Sequence, residues 1–301
     1  MRLVTYTSAG KTLAGLLIDD QVIDVAAAAQ RCGEALNASS VLSIVQAGDA
    51  GVAALQRIAA RAKQFADLSQ RLDAVDLQAP IPRPSRNVFC VGRNYLDHIK
   101  EGAAVLHTDA KLPEVPQFFT KATHAVNAPQ GDIRLDANVT KRLDYEVELV
   151  VVIGKGGRDI AKAQAFEHVY GYCVGNDVTA RDLQRRHEQW FKGKSLDTFF
   201  PFGPALVTQD EIADVTALQL SLTVNGELRQ QAQVAQMIFD IPAIIESLSA
   251  GMTLEAGDLI ATGTPSGVGF AMNPPQYLKD GDRVVAGISG LGELSNRVVA
   301  V

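Results

Sequence analysis

Apolar and polar positions change period several times along the chain, and each change predicts an element. The chain opens on a polar-interrupted strand, Arg2-Leu3-Val4-Thr5-Tyr6, and residues 15–18, 19–21 and 22–25 read as strand, turn, strand. Two alanine-rich stretches, 25–36 and 50–68, predict helices. In the second, Val52, Leu55, Ile58 and Ala59 fall at helical spacing and are expected to pack inward. Pro80, Pro82 and Pro84 then block both helix and central strand. This segment predicts a domain boundary, with a small N-terminal domain over 1–79 and a larger, catalytic one over 85–301.

Beyond the prolines, 88–91 reads as a short strand and 102–116 as a polar, proline-bearing loop able to move over a site. Between them, a helical reading of the residues up to Glu101 puts His98 and Glu101 at i and i+3 on one face. A Glu accepting from one ring nitrogen fixes the tautomer and leaves the other free to take a proton. Taken alone, the spacing also fits an ordinary surface pair. Phe118-Phe119-Thr120-Lys121 ends on a lysine able to counter nearby acids. Residues 161–167 predict a short helix, and 169–175 a strand that delivers Asp177 at its end. Asn225-Gly226 supplies the positive φ angles of a two-residue hairpin, and Asp240-Ile241-Pro242 opens a helix through Leu248. The glycine-rich loop Thr262-Gly263-Thr264-Pro265-Ser266-Gly267-Val268-Gly269 lets backbone approach a ligand closely, with the Thr264 hydroxyl as a donor. Tight turning alone would also explain it.

One stretch breaks the ordinary rules of burial. In Arg142-Leu143-Asp144-Tyr145-Glu146-Val147-Glu148-Leu149, strand alternation sends Asp144, Glu146 and Glu148 to one side, and the run that follows is almost wholly apolar. Carboxylates about 7 Å apart entering a core must be protonated, paired with Lys or Arg, or bound to a cation. With Asp177, the candidate ligands Glu146 and Glu148 are hard oxygen donors, which favours Mg²⁺ or Mn²⁺ and leaves coordination positions for water or substrate.

Composition narrows the partners. The 301 residues are 47% hydrophobic and carry 28 basic against 34 acidic residues, a formal charge of −6 with no basic cluster, which argues against nucleic acid. Cys32, Cys90 and Cys173 are isolated and show no CxxC spacing, and no window of eighteen apolar residues occurs. A cytoplasmic protein that neither spans nor enters a membrane is expected. No Gly-x-Ser-x-Gly elbow is present, and the glycine-rich turn at 154–157 lacks the pattern of a phosphate loop.

Taken in order, Gly92-Arg93-Asn94-Tyr95 with His98 and Glu101, Asp144-Tyr145-Glu146-Val147-Glu148, Gly175-Asn176-Asp177-Val178-Thr179-Ala180-Arg181-Asp182, Gly193-Lys194-Ser195, Val224-Asn225-Gly226 and the 262–269 loop resemble the fumarylacetoacetate hydrolase family over about two thirds of the chain. The resemblance implies an α+β fold with a mixed β-roll core beside a small N-terminal α/β domain, commonly as a homodimer. It implies Mg²⁺ or Mn²⁺ on Glu146, Glu148 and Asp177, with His98 and Glu101 as a dyad on a lid helix. Lys194 and Gln184 would contact substrate or the attacking water, and Arg181 and Thr264 match further pocket positions. Phe89-Cys90-Val91-Gly92-Arg93-Asn94-Tyr95 offers no fourth acid, which points to the three-carboxylate, acylpyruvase-like branch. The expected activity is hydrolysis of the C3–C4 bond of a small 2,4-dioxo acid, such as maleyl- or fumarylpyruvate or a diketo sugar acid, releasing pyruvate. Oxaloacetate decarboxylation or isomerisation of a hydroxydienedioate at the same metal–enolate site is the alternative. A silent binder of dicarboxylates is a third reading, disfavoured by the intact His98, Glu101 and Lys194 set.

Overall fold

Seven consecutive buried residues, Val147–Ile153, form the strand on which the molecule is assembled. Val169–Asn176 pairs antiparallel along one edge and Leu259–Ala261 along the other. With both faces covered, the run is apolar without alternation. The computed structural model describes residues 1–301. From this centre the larger sheet continues through Phe200–Thr208 to Arg2–Ser8, Lys11–Ile18 and Gln21–Asp24. On the other side it passes through Leu259–Ala261 to Val88–Gly92 and Gln117–Lys121.

A second, five-stranded sheet runs in the order Glu227–Gln233, Gln219–Val224, Arg283–Ile288, Gly292–Ala300, Ile133–Leu135. Both sheets mix parallel with antiparallel pairs: Leu259–Ala261 with Val88–Gly92 and Phe200–Thr208 with Val126–Asn127 in the larger, Gly292–Ala300 with Ile133–Leu135 in the smaller. The architecture is the mixed α+β one that the sequence led us to expect. The main hydrophobic core, of 65 buried residues, draws on both sides of the proline segment, from Leu3 to Val298. No helix is long and apolar enough to cross a membrane.

Several boundaries differ from the sequence reading, each for a local reason. The first alanine-rich helix is Val25–Cys32, stopped by Gly33 at φ 69°, whose N–H closes onto Ala29 and Gln30. The second is Gly48–Ala59, and the chain beyond it breaks into short 3-10 turns around buried Phe65. A six-residue helix, Val41–Gln46, capped by Ser40, lies between them and was not anticipated. The segment expected to be loop from residue 102 instead continues the helix Leu96–Leu106, because Ile99 and Ala103 share a buried face that carries the turn through Gly102.

The acidic stretch is not one strand. Leu143–Asp144 pairs with Thr179–Ala180, the ladder is interrupted at Tyr145-Glu146, and pairing resumes at Val147. The Glu146 N–H is bonded instead to the Asn176 side-chain oxygen at 3.0 Å.

Candidate active site

The acids meet because of strand register. Val147 sits opposite Asn176, so the residues just outside the paired ladder, Glu146 and Asp177, face each other, and the Asp177 N–H donates to the Glu146 carbonyl at 2.8 Å. Glu148 lies two residues on from Glu146 and returns to the same side. Ligating oxygens of Glu146, Glu148 and Asp177 all lie within 4.8 Å of one another, and all three residues are buried. Asp144 takes a separate role. Its carboxylate accepts from the Tyr145, Gly269 and Phe270 N–H groups and from Arg181 Nε at 2.8 Å, so it anchors Arg181 and the end of the glycine loop.

Three buried cations grip this cluster. Lys194 Nζ lies 2.8 Å from Glu146 Oε2 and 2.6 Å from Asp177 Oδ2. Lys121 Nζ holds the other Asp177 oxygen at 2.6 Å and the Val178 carbonyl at 3.1 Å, the countercharge expected of that residue. Arg181 Nη2 reaches Glu146 Oε1 at 2.7 Å, with its guanidinium over the Phe270 ring at 4.6 Å. Burial alone would raise the Glu146 carboxyl, but Lys194 and Arg181 outweigh it and hold the group down at about 2. Burial alone would also lower Lys194, and here Asp177 and Glu146 prevail and raise it, so it remains an ammonium. Lys121 is lowered, by burial first and then by Lys194, against the pull of Asp177.

Glu148 is the exception. It makes no ion pair and accepts only the Gly263 N–H at 2.9 Å, and burial followed by repulsion from Asp177 and Glu146 pushes its carboxyl well above the usual range. Four carboxylates, Asp144, Glu146, Glu148 and Asp177, therefore face three cations, Lys121, Arg181 and Lys194, and the surplus negative charge falls on Glu148. A cavity of about 360 Å³ opens onto Glu146, Glu148 and Lys194. An all-oxygen donor set, one uncompensated carboxylate and room beside it fit a hard divalent cation.

On the opposite wall, the helix Leu96–Leu106 presents His98, whose Nδ1 lies 2.7 Å from Glu101 Oε1. The second Glu101 oxygen accepts the Gly267 N–H at 2.8 Å, so the dyad is docked onto the glycine loop. Gly263 and Gly267 stand at φ 104° and 105°, where a side chain would be strained and would collide with Asn94 and with the Arg229 carbonyl respectively. One loop thus donates backbone N–H groups both to Glu148 and to Glu101. Thr264 also lines the cavity, but its hydroxyl donates to the Val147 carbonyl at 3.0 Å and accepts from Gln230 at 2.8 Å, which commits its proton to the scaffold. Gln184 lines the cavity and accepts from Arg181 Nη1 at 3.2 Å.

Two residues that position the site were given no role in the sequence reading. Gln230, fully buried, bonds the Val147 N–H, Thr264 and the Pro265 carbonyl, tying strand to loop. Its signal was an amide at an inward position of a strand with alternating burial. Asn94, also fully buried, bonds Phe239 and the Thr262 carbonyl and fixes the turn before the helix.

Residues 87–299 match the family described as fumarylacetoacetate (FAA) hydrolase C-terminal. An oxaloacetate tautomerase, YisK, of Bacillus subtilis (strain 168) is 44% identical over 304 residues, covering 99% of this chain and all of the relative. The solved fumarylacetoacetate hydrolase of the psychrophile Exiguobacterium antarcticum is 40% identical with a TM-score of 0.82, covering 100% of both chains. The maleylpyruvate hydrolase of Sphingobium sp. SYK-6, solved with manganese(II) and pyruvate, is 28% identical with a TM-score of 0.80, covering 100% of this chain and 99% of that one. A family match over most of the sequence, and close likeness to a relative along its full length, make this protein a member of the fumarylacetoacetate hydrolase family.

Proposed function

We propose that the protein catalyses keto–enol tautomerisation of a small 2-oxo dicarboxylate, oxaloacetate being the model substrate, with Mg²⁺ or Mn²⁺ held by Glu146, Glu148 and Asp177. The observation that carries the reading is the placement of His98: with Nδ1 engaged by Glu101, its Nε2 is free to exchange a proton within the cavity that also holds the acidic triad. Full-length likeness to an oxaloacetate tautomerase supports it over the hydrolysis first expected. Held by these three carboxylates, a divalent ion would supply a Lewis acid for the 2-oxo acid.

The chain's own residues do the rest. His98 takes a proton from C3 as the C3–H electron pair moves into the C2–C3 bond, and negative charge gathers on the 2-oxo oxygen. Lys194 stays cationic and stabilises that charge by position, while a proton from solvent completes the enol. In the reverse direction His98 returns its proton to C3. No water need be placed for attack, which distinguishes this chemistry from carbon–carbon bond hydrolysis.

The relaxation of freshly dissolved enol oxaloacetate, followed by ultraviolet absorbance with each metal after chelator treatment, tests the proposal. Acceleration above the buffer rate without pyruvate or CO₂ release is expected. Release of pyruvate from acetylpyruvate, with no effect on oxaloacetate, would overturn tautomerisation in favour of hydrolysis.

A further inference from the structure

We propose that Arg93 and Arg185 form the receptor for the far carboxylate of the substrate and so select 2-oxo dicarboxylates over 2-oxo monocarboxylates; this rests on the enolisation reading above. A dicarboxylate brings two anionic ends, and the triad with Lys194 accounts for one. The basic side chains lining the cavity are Arg93, His98, Arg181, Arg185 and Lys194. Three are already committed: Arg181 to Asp144 and Glu146, Lys194 to Glu146 and Asp177, His98 to Glu101. Arg93 and Arg185 pair with no carboxylate. Glu188 shares the rim and pairs with neither.

The positions of the two arginines suit the role. Arg185 follows Arg181 by four residues in the helix Arg181–Arg186, about 6 Å further along its axis and on the same face. Arg181 touches Glu146, and Arg185, one helical turn further on, lines the same cavity beyond that acidic end. Arg93 stands at φ 57°, a left-handed conformation disfavoured for a residue with a side chain. Its neighbours impose it: Gly92 is paired with Gln117, and Asn94 is clamped to Phe239 and Thr262. The Arg93 guanidinium makes one protein hydrogen bond, Nη2 to the Lys111 carbonyl at 2.9 Å, in the segment that follows the helix Leu96–Leu106. Its other donors are available to a carboxylate in a geometry that guanidinium suits. Strain at this position thus holds a cation that pairs with no carboxylate in the cavity lining and ties it to the segment after the helix Leu96–Leu106.

The test compares wild type with Arg93→Met, Arg185→Met, the double variant and Arg93→Lys, all with saturating metal. Three quantities are read: KM and kcat for oxaloacetate enolisation, C3–H deuterium exchange of 2-oxobutanoate by NMR, and affinity for oxalate, which has the chelating end alone. Each methionine variant is expected to raise KM for oxaloacetate about 10- to 100-fold. Changes in kcat below threefold are expected, with 2-oxobutanoate exchange, oxalate affinity and thermal midpoint unchanged and partial recovery in Arg93→Lys. An unchanged oxaloacetate KM in the double variant overturns the proposal, as does a parallel loss of oxalate affinity. Oxaloacetate affinity is also measured by displacement of oxalate. A wild type that binds the diacid without enolising it overturns the reaction while leaving the arginine role readable, and one that binds it no better than pyruvate overturns the receptor.

Discussion

Glu148 sets the pH behaviour of the site. Its carboxyl is raised above the ordinary 4.5 by burial and by its two acidic neighbours. The raised value favours the folded state fully at pH below about 4.5, and that contribution is lost as pH rises through the folded value. Glu146 behaves oppositely: held at about 2, it contributes stability present above 4.5 and lost as pH falls toward 2. Glu148→Gln in metal-stripped protein is therefore expected to raise the thermal midpoint at pH 8 by about 2–4 °C or more, while abolishing divalent-cation binding in calorimetry. A midpoint unchanged at pH 8, or retained cation affinity, would contradict this account of the charge surplus. For His98→Ala, a loss in kcat of about 10²- to 10⁴-fold with unchanged cation affinity is expected. Activity within threefold of wild type would remove His98 from the proton transfer.

Among elements, the sequence was most legible where local chemistry and burial agree. The Asn225-Gly226 hairpin forms with φ of 52° and 83°, and Asp240 caps the helix Ile241–Ser249 through the Ala243 N–H. The pairing of His98 with Glu101 also followed from spacing once a helix was assumed. The acidic stretch was half legible. Alternation correctly grouped Glu146 with Glu148, but nothing in it announced the break at Tyr145-Glu146 that gives Asp144 to Arg181, because Asn176 from another strand makes the break. The use of Lys121 and Lys194 was likewise visible only as residue type, since register between distant strands brings them to Asp177. The glycine loop offers a test at this scale. Gly267→Ala imposes both a strained φ and a clash with the Arg229 carbonyl, and is expected to cost about 1–3 kcal/mol in denaturant unfolding and to lower kcat by displacing Glu101. Unaltered stability and turnover would show the loop to be more pliant than its backbone angles imply.

At the scale of the whole molecule, the proline segment separates two stretches of sequence that share one sheet. Arg2 and Leu3 pair with Val207 and Leu206, and the Thr208 N–H donates to the Met1 carbonyl. The three prolines led to the expectation of a boundary, and local sequence had no means of giving this ladder, which depends on a partner two hundred residues away. Removing residues 1–79 would leave Phe200–Thr208 as an open edge with Leu206 and Val207 uncovered. The chain over 85–301 is therefore expected to aggregate, or to lose cooperative unfolding, in size-exclusion and denaturation experiments. A soluble, cooperatively folding product would show that the second sheet and the core beneath it suffice.

The double use of the 262–269 loop carries a consequence for turnover. Gly263 steadies Glu148 and Gly267 steadies Glu101, so the two catalytic walls are fastened to a common pin. Were the helix Leu96–Leu106 to swing outward, the contact of the Gly267 amide with Glu101 would break, and the proton carrier proposed above, His98, would lose its alignment with it. Under the proposed reaction, such a movement would keep chemistry and departure from overlapping, because a competent histidine would return only with the helix settled back.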